Sequence, residues 1–106
     1  MIKYGLEKVM ELRFKKFYAS MERRNGQLVD IELRFDLADE TPAPDDLIDF
    51  TALVICTVDG TIAQIVPQDV GCDCEYQFTV QEKEQIAAYI GREDVQREIA
   101  NLPSPT

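Results

Sequence analysis

The sequence predicts an α+β domain: a five-stranded, mostly antiparallel sheet followed by two helices packed on one of its faces. Three features carry that expectation. Val29 to Leu37 alternates apolar and polar residues without a break over nine positions, the period of a strand with one buried and one wet face. Asp59-Gly60 lies between two apolar, β-branched runs, among the strongest short hairpin signals. Thr79-Val80-Gln81-Glu82 places Glu three residues after Thr, the pattern of a capping box that opens a helix. The 106 residues fit one ordinary domain, here taken as 1–102, with a frayed Pro-rich tail at 103–106.

Taken in order, residues 1–8 fit a short helix or an extra strand. Residues 6–22 are ambiguous. Leu6, Val9, Met10, Phe14, Phe17, Tyr18 and Met21 have helical spacing, with Asn25-Gly26 as a C-cap. The rival is a strand at 11–23 that forms a hairpin with 27–37. A three-residue loop ending in a left-handed Gly26 sets Met21 against Val29, Ala19 against Ile31 and Phe17 against Leu33. One extra residue at Lys15-Lys16 then brings Phe14 onto Phe35 and Leu12 onto Leu37. That apolar matching favours the hairpin.

Residues 38–49 form a Pro- and acid-rich loop. Strands follow at 50–58 and 61–66 around the Asp59-Gly60 turn. Pro67 ends the second of these or confines it to an edge, and 68–71 reads as a turn. Cys74 to Phe78 alternates again as a fifth strand. The helix opened by Thr79 runs through Ile90, with Gly91 stopping or bending it. A second helix over 93–101 has Glu93-Asp94 in its first turn, Val95, Ile99 and Leu102 on its apolar stripe, and a favourable Glu93–Arg97 pair.

Charge is unevenly placed. Residues 1–26 carry seven basic and three acidic side chains, a net +4; residues 27–106 carry four basic and seventeen acidic ones, a net −13. Asp36 to Asp49 holds six acids and no base. Nucleic acid is a poor partner for such a body, because its phosphates are repelled beyond a local patch. In the expected register Phe14 and Phe17 point into the core, Arg13 faces Asp36 and Lys16 lies diagonal to Glu32, so the basic hairpin is partly neutralised within its own sheet.

The chain has no His and no Trp, which removes imidazole acid–base chemistry and every Ser-His or Cys-His nucleophile. Its five glycines are isolated, so no phosphate-binding loop exists. No carboxylate pair stands out by spacing. The sequence therefore reads as non-catalytic and cofactor-free. No apolar run has the length of a membrane span, the first residues hold no apolar signal core, and the odd cysteine count suits a reducing compartment. The expected location is the cytoplasm.

Three function classes follow. The leading one is an interaction module, an inhibitor or adaptor that presents Asp36, Asp39, Glu40, Asp45, Asp46 and Asp49 to a basic protein surface, with no direct nucleic acid and no membrane. The second is a thiol or zinc module on Cys56, Cys72 and Cys74, although one Cys-x-Cys without a matching pair departs from ordinary zinc spacing. The third is an assembly subunit that forms a homodimer through a sheet edge or a helical face.

Overall fold

The computed structural model describes residues 1–3, 5, 9–38 and 44–104. The elements are β1 (Ile2–Lys3), β2 (Phe14–Arg23), β3 (Leu28–Leu37), β4 (Phe50–Thr57), β5 (Ile62–Asp69), β6 (Cys72–Asp73), β7 (Tyr76–Gln77), α1 (Val80–Ile90) and α2 (Glu93–Ala100). The main sheet has the order β2-β3-β4-β5-β6, every pair antiparallel, and β1 pairs with β7 in a small second sheet. The α+β architecture expected from the sequence is present. Residues 6–8 lie outside the described residues, and residues 14–23 are strand.

One face of the sheet is the core. Val29, Ile31 and Leu33 of β3 and Ala52, Val54 and Cys56 of β4 are fully buried there. Ile86 and Ile90 of α1 and Val95 and Ile99 of α2, each pair spaced by one helical turn, close over them. Six aromatic rings, Phe14, Phe17, Phe35, Phe50, Phe78 and Tyr89, form a connected cluster toward the β2 side. Phe14 and Phe35 meet edge to face at 4.7 Å, a favoured ring geometry.

The capping box is complete. Glu82 N–H donates to Thr79 Oγ1 (3.2 Å) and Thr79 N–H to Glu82 Oε1 (2.8 Å). Glu82 does more than cap. Its other oxygen accepts from the Leu12 N–H (2.7 Å) and from the Met1 ammonium (2.5 Å), and the side chain is fully buried. The carboxylate therefore ties the segment leading into β2 to the start of α1. At the other end of the helices, Gln96 of α2 donates to the carbonyls of Gly60 (3.2 Å) and Ile90 (2.8 Å). Gly60 has φ +89, and a Cβ there would fall 1.9 Å from Gln96 Oε1. The left-handed turn requires glycine, and a side chain there would also push the Gln96 amide aside.

Several expectations change in detail. The β2–β3 register sets Met21 opposite Ile31, Ala19 opposite Leu33 and Phe17 opposite Phe35, two residues from the expected pairing. The core-facing set is unaltered, because a shift of two preserves the face. The cause is Asn25. Its Oδ1 accepts from the N–H groups of Gln27 and Leu28, both at 2.8 Å, so a side-chain turn closes the loop, and Gly26 is not left-handed. The bulge at Lys15-Lys16 is present, and it brings Phe14 onto Leu37. Leu12 does not reach the sheet; it is buried beside Glu82.

Lys16, not Arg13, stands opposite Asp36, and Ser20 stands opposite Glu32. β5 runs through Pro67 to Asp69. The Cys74 thiol donates to the Pro67 carbonyl (3.5 Å), so the missing Pro N–H also faces away from β4 and no ladder bond is lost. The expected fifth strand at 74–78 divides: Cys72–Asp73 joins β5, and Tyr76–Gln77 joins β1.

Candidate functional site

The acidic residues gather at the end of the sheet where β3 finishes, β4 starts and β5 turns into β6. The segment 44–49 is fastened there by backbone bonds. Asp69 Oδ1 accepts from the N–H groups of Ile48 (2.9 Å) and Asp49 (2.8 Å), and the Val70 N–H donates to the Asp49 carbonyl (3.0 Å). These three bonds set Ile48 beside the Val70-Gly71 turn. Both aliphatic side chains face solvent: Ile48 is 87% and Val70 59% exposed. A shallow depression of about 280 Å³ is lined by Asp46, Leu47, Asp69, Asp73, Glu75 and Tyr76 among others; Leu47 and Asp69 are the chain neighbours of Ile48 and Val70.

The acids predicted to meet a partner divide into three groups. Asp39 and Glu40 lie outside the described residues. Asp36, Asp46 and Asp49 are engaged within the fold. Asp36 accepts from the Tyr18 hydroxyl (2.8 Å), which raises the pKa of that phenol. Asp46 accepts from Lys3 Nζ (2.7 Å) and the Tyr76 hydroxyl (2.6 Å), joining the loop to the β1–β7 sheet. The Lys3 bond first and the Tyr76 bond second hold its carboxyl below the usual range. Asp49 meets the Arg34 guanidinium at 2.7 and 3.4 Å, and that contact lowers its pKa likewise. Asp45 is exposed, and among the described residues no cation stands at it. The fold itself thus uses three of these acids, Asp36, Asp46 and Asp49.

Sequence reasoning missed Asp69, Asp73, Glu75 and the two exposed aliphatics. One signal could have found the acids. Residues 35–82 contain eleven acids and no Lys or Arg, so any surface built from that stretch alone is acidic. Ile48 and Val70 had no such signal, because their exposure follows from the loop being fastened to the turn.

The cysteines do not assemble. Cys56 is fully buried in β4, and burial pushes its thiol up to about 11. Cys74 is partly buried, which raises its pKa too, and Cys72 is exposed. Among the described residues no group of three or more His, Cys, Asp or Glu side chains is arranged to hold a metal ion. No helix of the described residues is long and apolar enough to cross a membrane. No protein-family model, no curated protein and no solved structure matches the chain. Function must therefore be argued from the site.

Proposed function

We propose that this protein is a non-catalytic interaction module, an inhibitor or adaptor, whose acidic end docks on a basic patch of a protein partner. The observation that carries the reading is Ile48, a large aliphatic side chain 87% exposed, in a segment held by Asp69 and flanked in the chain by Asp46 and Asp49. Exposed apolar groups rimmed by charge are the usual anatomy of a docking surface. In such a surface the central side chain supplies the anchor and the rim supplies steering and partner choice. Lys3 and Arg34 are already held by Asp46 and Asp49, and Asp73 accepts only from the neutral Gln68 amide at 3.3 Å among the described residues. Asp45, Asp73 and Glu75, at which no ion pair stands among the described residues, would face an incoming Lys or Arg.

The test is affinity capture from the native cell at two salt concentrations. Immobilised wild type is compared with Ile48→Asp and with a triple variant, Asp45→Asn, Asp73→Asn and Glu75→Gln. A partner retained by wild type at low salt, released by added salt and lost from both variants is the expected result. Retention indifferent to salt and to both variants would refute the reading.

A further inference from the structure

The main sheet has two outer strands with different exposure. β5 is covered at one end by β6, carries Pro67, and has an extra residue at Ala63 with no opposite number in β4. Those are the devices that blunt a sheet edge. β2 is ten residues long, and among the described residues no strand pairs with its outer side. The Arg24 N–H donates to the Leu28 carbonyl, so even-numbered residues from 16 to 24 turn their backbone groups toward β3 in this register. Phe17, Ala19 and Met21 therefore present their N–H and C=O groups outward.

Glu22 gives a second observation. It stands directly opposite Asp30, a like-charge pairing that destabilises a sheet. Arg24 is taken by Asp30 at 2.8 Å, and among the described residues no cation stands at Glu22. Lys16 lies on the same outer face, six residues away, with the Tyr18 ring centroid 5.0 Å from its ammonium and Asp36 across the strand pair.

We propose that the chain forms a homodimer by antiparallel pairing of β2 with β2 of a second copy, with Ala19 on the two-fold axis. Outward-facing residues must meet outward-facing residues, which allows only registers of even sum. Pairing residue i with 38 − i sets Ala19 against Ala19, Phe17 against Met21 and Lys16 against Glu22, the last two twice by symmetry. Each Glu22 then gains the cation it lacks. A register two residues shorter sets Glu22 against Phe14. One two residues longer sets Lys16 against Arg24. Lys15 and Arg23 fall opposite in the central register, but Lys15 is at the bulge and the Arg23 guanidinium is turned to the Asn25 and Gly26 carbonyls. β2 itself carries three basic groups and one acid, so two molecules of charge −9 meet where their repulsion is least. The result is one continuous sheet across both copies. The reading is independent of the acidic end.

Sedimentation equilibrium from micromolar to millimolar protein tests it. Wild type is expected to dimerise. Ala19→Pro removes only an outward N–H and is expected to remain monomeric with an unchanged far-UV spectrum. Lys16→Glu is expected to weaken association about tenfold, from two like-charge contacts per dimer, and adding Glu22→Lys to it is expected to restore association. Wild type that stays monomeric throughout, a dimer indifferent to Lys16→Glu, or a double variant no tighter than Lys16→Glu alone overturns the proposal, even where Ala19→Pro does not fold.

Discussion

Val70 holds a left-handed backbone, φ 53, in the two-residue turn between β5 and β6, followed by Gly71 at φ 74. Two successive positive φ angles are the geometry of a tight hairpin turn that prefers Asn-Gly. A β-branched residue there costs about 1 to 3 kcal/mol. Val70→Asn should therefore raise stability by about 1 kcal/mol, read as a higher thermal midpoint. An unchanged or lower midpoint would show that the turn is not strained. A second residue-level outcome concerns thiols. Cys56 is fully buried with its thiol pushed up to about 11, and only the thiolate reacts. Iodoacetamide at neutral pH should label exposed Cys72 on the folded protein and Cys56 only after denaturation, as peptide mapping would read. Labelling of Cys56 in the native state would contradict its placement.

At the scale of elements, Glu82 joins three pieces of chain: the start of α1, the segment before β2 and the amino terminus. Glu82→Ala leaves buried donors without an acceptor, which should cost about 3 kcal/mol. Denaturant unfolding checks this, and a loss below about 1 kcal/mol would mean that the donors find water or other partners. The acidic loop gives a pH signature. Asp46 and Asp49 have lowered pKa values in the folded state, so their contribution is present above the unfolded value. It is lost as pH falls below about 4. Asp46→Asn should flatten that part of the stability profile; an unaltered acid limb would count against the Lys3 contact. These elements were legible to different degrees. Alternation announced β3, and Thr79 with Glu82 announced α1, because each signal is local. The reach of Glu82 to Leu12 was hidden, since a capping box says nothing of the second carboxylate oxygen. The β2–β3 register depended on which atom closes the loop, and Asn25 Oδ1 does so where glycine was expected. The split of 74–78 depended on β1, which has no partner until the chain folds.

Across the whole molecule, the charge split takes a structural form. The basic groups of the β2–β3 hairpin are partly spent: Arg24 on Asp30, and Arg34 on Glu32 and Asp49. The stretch from 35 to 82 has no base of its own, and its segment 44–49 is fastened beside the β5–β6 turn, so that Asp46, Asp49, Asp69 and Asp73 share one end of the sheet. The sequence carried the sign of that surface but not its apolar member, because an exposed Ile is recognisable only once its neighbours are in place. Two surfaces with different chemistry result. The acidic end is the one proposed to meet a basic partner, and the open β2 edge the one proposed to meet a second copy. The most direct measurement is the affinity of the captured partner as a function of salt, for wild type and for the Asp45→Asn, Asp73→Asn, Glu75→Gln variant. Binding at the acidic end predicts that wild-type affinity falls steeply with salt and that the variant binds more weakly with a shallower dependence. Equal affinities and equal salt dependence for the two proteins would contradict it.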